Sequence, residues 1–200
     1  MTFEGPFRHD GGLMPVTLDI TDGVALILVD HSPAGLDDSE LAALRAALGG
    51  AASDAGAVVL HGGDRTFFSG IDLKRVARTP PVELKARTGR MKRLCCEVAG
   101  MAIPVVAAIG GDAFGNGCAL ALACDGRVMT GSGSLGWVAA ADAGREVLMG
   151  RRLTAREALR LGMVDRVVEP CALLASAREL AVSHATRKSR KRAQEYAKVP

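Results

Sequence analysis

Three apolar runs of strand length constrain the fold of this chain most strongly. Residues 24–29, 57–60 and 105–109 are unbroken by polar residues, and charged or turn-forming segments separate them. Short continuous apolar runs are typical of strands that are buried on both faces of a sheet. The first two runs enclose a helical pattern, and a strand, a helix and a strand over this distance form a βαβ unit. We therefore predict an α/β fold.

Helical patterns occupy the segments between these runs. After residue 29, Asp37 and Glu40 have the spacing of a capping box, and three leucines that share one helical face follow them. Gly49-Gly50 predicts the end of this first helix. Thr154 and Glu157 form a second capping box. The other predicted helices are 82–99, 118–124, 145–150, 155–161 and 171–197, and the other predicted strands are 127–129 and 164–168.

Length and composition indicate one domain. The 200 residues are 48% hydrophobic and 24% charged, which is the profile of a globular chain with a sizeable core. Glycines and prolines interrupt residues 1–15, so we expect a flexible leader there. The core domain is expected over residues 16–170, and a C-terminal helical segment with a basic tail over residues 171–200.

The distribution of charge argues against a nucleic-acid partner. Residues 187–200 contain six Lys and Arg and one Glu, a charge of +5, which leaves −2 of the total of +3 for the rest of the chain. A nucleic-acid-binding domain needs a basic face on its folded body, and here the basic residues form a single run, 187–192. We interpret this run as a solvated tail, with contacts to anions such as phosphates as the alternative.

Cysteine usage and hydropathy indicate the cellular compartment in which this protein is expected. The five cysteines are an odd number without a C-x-x-C pair, which disfavours a disulfide framework and a zinc site. The N-terminus lacks the basic start and apolar run of a signal peptide, and the longest apolar run, residues 101–109, is too short to cross a membrane. We expect a cytoplasmic protein with reduced thiols, no bound metal and no membrane contact.

Two glycine-containing loops carry the candidate chemistry, and each follows a predicted buried strand. The first loop comprises residues 67–73, and the second comprises residues 110–118 and leads directly into a predicted buried helix. The free N–H groups and the dipole at that helix start favour a negative charge above residues 115–117. Two N–H donors that converge on one carbonyl oxygen would stabilise an enolate or a tetrahedral intermediate. The alternative is that the glycines only permit close packing.

The order of several segments resembles the crotonase (enoyl-CoA hydratase/isomerase) superfamily. The resemblance covers residues 16–170 and implies a crotonase-like (ClpP/crotonase) spiral of ββα units with a C-terminal helical segment. It rests on the segments 31–36, 68–73, 104–109, 119–125 and 150–165.

This resemblance implies that the substrate is an acyl-CoA thioester, so that coenzyme A enters with the substrate and no separate cofactor is needed. The two oxyanion N–H groups would belong to Ser69 and Asn116. Because asparagine tolerates positive φ better than most residues, Asn116 is expected to preserve the shape of the loop. The family's chemistry would be that of a lyase or isomerase of fatty acid metabolism. The coenzyme A moiety would lie along Ser69, Gly70, Ile71 and Asp72 and near Ala34, with Lys74 a candidate for its phosphates.

The chain departs from the family's pattern at its acid and base. The family's hydratases resemble Gly-Gly-Gly-Cys-Glu-Leu-Ala at the second loop, and that glutamate falls on Ala119 here. Their second glutamate, in a segment that resembles Phe-Gly-x-Pro-Glu, falls on Ala139, and the stretch after it is shorter than the family's. General acid–base catalysis contributes about 10²–10⁴-fold. We therefore do not expect ordinary hydratase activity, whereas decarboxylation or thioester activation needs mainly enolate stabilisation.

Other side chains are candidates to replace the lost carboxylates. Asp142 follows Ala139 closely and becomes an acid or base if the shortened segment turns it inward; otherwise it is an exposed loop carboxylate. The alternative for Asp112 is a turn-forming residue, and that for Asp72 is a helix cap. His61 ends a strand and is more simply a hydrogen-bonded structural histidine. If none of them acts, the chain is a catalytically silent accessory subunit or scaffold of an acyl-CoA enzyme.

The C-terminal segment predicts self-association. Its apolar residues lie largely on one helical face, and little of the chain remains to cover them. Since crotonase relatives are typically trimers or dimers of trimers, we expect a homo-oligomer in which this face is buried against a neighbour. The face comprises Leu173, Leu174, Ala177, Leu180, Ala181 and His184.

Overall fold

The computed structural model describes residues 16–29, 36, 38–68, 80–140 and 147–196. The strands are β1 (Val16–Thr21), β2 (Val24–Val29), β3 (Ala57–His61), β4 (Val105–Ile109), β5 (Ala113–Phe114), β6 (Gly126–Thr130), β7 (Ser134–Ala140), β8 (Val147–Thr154) and β9 (Arg166–Val168). The helices are α1 (Asp38–Asp54), α2 (Pro81–Ala99), α3 (Asn116–Ala123), α4 (Ala155–Arg160) and α5 (Leu173–Tyr196), and a 3₁₀ turn (Pro170–Ala172) precedes α5.

Two sheets organise these elements. The larger has the strand order β1-β2-β3-β4-β6-β9, and its strands are parallel except for β1, which pairs antiparallel with β2. The smaller has the order β5-β7-β8. The three apolar runs are β2, β3 and β4, and the last two are buried over their whole length. The predicted α/β fold with parallel neighbours is therefore confirmed.

The first hairpin of the large sheet was not predicted. β1 and β2 pair over their full length, from Val16 opposite Val29 to Thr21 opposite Val24. The turn consists of Asp22 and Gly23, whose φ angles are 51° and 72°. Two consecutive positive φ values are the geometry of the tight hairpin turn that Asp-Gly favours. The Asp-Gly dipeptide is the signal that reveals this hairpin in the sequence.

Two helix predictions are wrong. α1 does not end at Gly49-Gly50 but continues to Asp54. The extra turn buries Ala51 completely, and such packing outweighs a glycine penalty of about 1 kcal/mol per residue. Residues 147–150, predicted as helical, begin the strand β8, which pairs antiparallel with β7 from Val147 to Thr154. The conformation of such a segment is determined by its cross-strand partners, which are distant in the sequence. The local spacing of apolar residues therefore does not predict it.

The C-terminal helix α5 covers one face of the large sheet of its own chain. Leu173, Ala177 and Ala181 are buried in an apolar cluster with residues of β2, β3, β4 and β6. The Arg178 guanidinium donates to the carbonyl oxygen of Thr21. The prediction that this helical face lacks a cover within the chain is therefore wrong, and self-association stays a prediction that rests on the family resemblance alone.

A second apolar cluster covers the opposite face of the sheet. Helices α1, α2 and α3 contribute to it through residues that include Leu44, Leu94 and Leu120, all of which are fully buried. Phe67 and Phe68, at the start of the first loop, belong to the same cluster. The second glycine-containing loop thus begins at the end of β4 and enters α3 on this face. Within the described part of the chain, no helix combines the length and hydropathy needed to cross a bilayer.

Candidate active site

The two glycine-containing loops lie side by side. The Phe67 N–H donates to the Asp112 carbonyl oxygen at 2.8 Å, and the Asp112 N–H donates to the Arg65 carbonyl oxygen at 3.1 Å. Thr66 and Asp112 form a parallel bridge between the two segments. The first loop is thus paired to the second directly before Ser69, which lies outside the described residues.

Glycines make this close approach possible. A Cβ atom on Gly117 would lie 2.1 Å from the Phe67 carbonyl oxygen and 2.8 Å from that of Phe68. A Cβ atom on Gly111 would lie 2.1 Å from the Arg65 carbonyl oxygen. All three distances are below a van der Waals contact, and the opposing atoms belong to the backbone, which cannot rotate away. The second loop therefore needs glycine at both positions to contact the first.

The start of α3 presents its N–H groups at this contact. The helix begins at Asn116, and Gly115 precedes it with φ of 54° and without a side-chain cap. The first N–H groups of a helix have no acceptor within the helix and attract negative charge. Among the described residues, the positive φ in this loop falls on Gly115, and only Asp22 and Phe68 combine a side chain with positive φ. Asn116 therefore does not need the unusual φ that we expected of it.

The two alanines at the expected glutamate positions occupy different elements. Ala119 lies in α3, one helical turn after Asn116, and is half-buried. Ala139 lies in β7 and pairs with Leu148 of β8. A methyl side chain transfers no proton, so neither position supplies an acid or a base.

His61 is not directed at the loops. Along β3 it follows Val59 by two residues, and alternation in a strand places both side chains on the sheet face that α5 covers. The imidazole Nδ1 lies 2.8 Å from the Ala108 carbonyl oxygen, and Nε2 lies 3.4 Å from Oδ1 of Asp64. His61 is thus a hydrogen-bonded structural residue at the end of its strand.

The carboxylate of Asp112 is occupied by hydrogen bonds. It accepts from Ser134 Oγ at 2.5 Å, and one terminal nitrogen of Arg152 lies 3.2 Å from each of its oxygens. The Arg152 Nε also donates to Ser134 Oγ at 2.8 Å, and the guanidinium lies 5.4 Å from the centre of the Phe114 ring. This cluster was not predicted, because Ser134 and Arg152 are far from Asp112 in sequence and no local pattern joins them.

Cys118 is the thiol of the second loop, and it is buried. Burial raises the pKa of the Cys118 thiol above its ordinary value of 9.0, and a hydrogen bond with the Gly136 backbone opposes this only in part. The thiol is therefore neutral at physiological pH, which makes it a packing group rather than a nucleophile.

Seven of the eight predicted site residues lie outside the described residues, so the structure locates only Asn116 directly. The segment before Ser69 contacts the start of α3 at Gly117, and the role of the seven other residues stays a prediction. The residues outside are Ala34, Ser69, Gly70, Ile71, Asp72, Lys74 and Asp142.

The chain is similar to curated proteins whose names are those of acyl-CoA hydratases and dehydratases. The (E)-benzylidenesuccinyl-CoA hydratase of Thauera aromatica is 32% identical over 194 residues, which cover 84% of this chain and 75% of that protein. The carnitinyl-CoA dehydratase of Citrobacter koseri is 38% identical over 145 residues, 62% of this chain. That match spans 55% of the dehydratase, so the chain corresponds to little more than half of this relative.

A solved structure gives the same result for the fold. The enoyl-CoA hydratase of Bacillus anthracis is 27% identical and superimposes with a TM-score of 0.74, covering 86% of this chain and 77% of that one. This confirms the crotonase-like fold that the sequence resemblance implied. The model of the family described as enoyl-CoA hydratase/isomerase matches residues 19–139, which include both loops and α3. The chain belongs to the enoyl-CoA hydratase/isomerase family.

Proposed function

We propose that this chain binds an acyl-CoA thioester and stabilises the negative charge that develops on the thioester oxygen. The N–H groups of Ser69 and Asn116 are the two donors, and coenzyme A is bound along the first loop. Two preorganised donors at a developing oxyanion are each worth about 10²–10³ in rate. The proposal fits the names of the relatives, which act on benzylidenesuccinyl-CoA and carnitinyl-CoA.

One observation carries this proposal. The Phe67 and Phe68 carbonyl oxygens approach Gly117 so closely that a single added carbon atom would overlap them. Phe68 directly precedes Ser69, and Gly117 directly follows Asn116. The two proposed donors therefore flank a contact between two backbones, and donors that share one oxyanion must be this close.

The reaction favoured by these residues is one that needs charge stabilisation more than proton transfer. Ala119 and Ala139 replace the two glutamates, and Asp112 is engaged by Ser134 and Arg152. Hydration needs both a base for water and an acid for carbon, whereas decarboxylation of a malonyl-type thioester releases carbon dioxide and leaves an enolate. We therefore infer slow hydration of enoyl-CoA and favour decarboxylation or thioester activation.

The second candidate function is an accessory subunit without turnover, and the two alanines favour it. In that case the chain would keep the fold for association with an active enzyme. We also expect self-association into a trimer or a dimer of trimers by analogy with the family. Light scattering coupled to gel filtration tests this, and a monomer at micromolar concentration would refute it.

A proline substitution tests the oxyanion site. Because Asn116 is the first residue of α3, Asn116→Pro removes its N–H while remaining compatible with the helix. Asn116→Gly retains the N–H and serves as the matched control. Calorimetry with several acyl-CoA thioesters should show weaker binding by the proline variant and unchanged binding by the glycine variant. Failure of the wild-type protein to bind any thioester at millimolar concentration would favour the accessory subunit.

A further inference from the structure

We propose that Asp112, Ser134 and Arg152 form a positioning cluster that fixes the distance between the two glycine-containing loops. The inference rests on the proposed function, because that distance sets the separation of the two oxyanion donors. None of the three residues is proposed to touch the substrate.

The backbone of Asp112 connects the second loop to the first. Its N–H and its carbonyl oxygen both bond to the segment 65–67, at 3.1 and 2.8 Å. Asp112 lies four residues before Asn116, and Phe67 lies two residues before Ser69. A movement of Asp112 would therefore shift both donors relative to each other.

The side chain of Asp112 connects the same point to the small sheet. Ser134 begins β7, and Arg152 lies near the end of β8, so the carboxylate joins both strands of this hairpin. Ser134 is nearly fully buried, at 3% exposure, and its hydroxyl donates to Asp112 while it accepts from Arg152 Nε. The three side chains thus form a closed ring of hydrogen bonds.

The Arg152 side chain is 64% exposed, and its several contacts are what distinguish this cluster from a single surface ion pair. An exposed pair contributes little because its two side chains are free to move apart. Here Arg152 makes hydrogen bonds to two different residues and also stacks near Phe114 of β5, which lies in the second loop. Charge-assisted and multiply bonded arrangements of this kind hold their geometry better than single contacts. The Phe114 contact adds a second connection from Arg152 to the loop itself.

A chromophoric substrate analogue tests the inference. The absorption band of a dimethylaminocinnamoyl-CoA thioester moves to longer wavelength when hydrogen bonds polarise its carbonyl group. We expect a shift on binding to the wild-type protein. Asp112→Asn and Arg152→Gln should lose more than half of that shift while their affinity for the thioester changes by less than about threefold. Arg152→Lys should retain an intermediate shift, because it keeps the charge but loses the fork of donors.

The control removes an equivalent ion pair elsewhere. Arg45 and Glu97 join α1 to α2 at 2.7 Å, and Arg45→Gln should leave the shift unchanged. If circular dichroism shows that the charge variants do not fold, Ser134→Ala serves in their place. It removes the hydroxyl that bonds to Asp112 and Arg152, and it should reduce the spectral shift without changing the affinity for the thioester.

A full shift in Asp112→Asn, Arg152→Gln and Ser134→Ala would overturn the inference. A wild-type protein that binds the thioester without any shift would instead refute the proposed oxyanion site, and the inference with it. The two failures are distinguished by whether the wild-type protein polarises the carbonyl.

Discussion

The contact between Gly117 and the first loop predicts a severe effect of a single methyl group. In Gly117→Ala the new Cβ would lie 2.1 Å from the Phe67 carbonyl oxygen, so the two backbones must separate by about 1 Å to reach the shortest tolerated contact of 3.0 Å. Overpacking of this kind destabilises a protein by about 1–3 kcal/mol. A misplacement of about 1 Å at a reacting centre costs on the order of 10²-fold in rate. We therefore expect losses of both stability and thioester activation.

Urea denaturation measures the loss of stability, and the wavelength shift of bound dimethylaminocinnamoyl-CoA measures the loss of thioester activation. The control is Gly89→Ala, at a helical position of α2 where a Cβ meets no atom within 4 Å. That variant should be more stable than the wild-type protein by about 0.5–1 kcal/mol, because alanine has the higher helix propensity. If Gly117→Ala unfolds at the wild-type urea concentration and polarises the bound thioester as fully as the wild-type protein does, the two loops are not in contact and the reasoning is wrong.

Three further predictions concern acid–base chemistry, a helix start and pH. The rate of crotonyl-CoA hydration by the wild-type protein should be far below the enzyme median of about 10 s⁻¹. Ala119→Glu should raise this rate by at least about 10-fold, and equal rates for the variant and the wild-type protein in a spectrophotometric assay would contradict the prediction. Thr154→Ala should lower the free energy of unfolding by about 1 kcal/mol, because Thr154 and Glu157 form a complete capping box at α4; Arg156→Ala, in the same helix, is the control. Burial raises the pKa of the Cys124 thiol from 9.0 to about 12, so its contribution to stability is complete below pH 9 and is lost progressively between the two values. Denaturation curves in alkaline buffers should show that the free energy of unfolding falls less steeply with pH in Cys124→Ala than in the wild-type protein. Identical slopes in the two proteins would exclude this thiol as the cause.

The elements that local sequence predicts are those whose pattern is complete within a short segment. The runs at β2, β3 and β4 contain their own burial signal, and Thr154 with Glu157 contains its own capping geometry. β8 lacks such a signal, because its partner β7 decides its conformation. Asp112 is a candidate acid in the sequence because its hydrogen-bond partners Ser134 and Arg152 are distant in the sequence and cannot be recognised there.

The candidate site also combines features that a short segment predicts with features that depend on distant residues. The sequence predicts the second glycine-containing loop and a helix directly after it, although that helix begins at Asn116 and not at residue 118. The identity of that other backbone, and the role of His61, depend on which face of a strand each side chain occupies. Which face a strand residue occupies is determined by packing: one face of the sheet packs against α5, and the other packs against α1, α2 and α3. Both apolar clusters combine residues that are far apart in the sequence.

The packing of α5 across the sheet also determines the order in which this protein can mature. Arg178 reaches back 157 residues to Thr21, and among the described helices it is α5 whose residues form the apolar cluster on this face of the sheet. During synthesis, β2, β3, β4 and β6 all emerge before the helix that shields them. A nascent chain at this stage exposes Val24, Val59, Val106 and Val128 together, a surface prone to aggregation. Docking of α5, rather than formation of the sheet, therefore completes the cover of this face, and chaperones would bind the chain most strongly before α5 is available to dock.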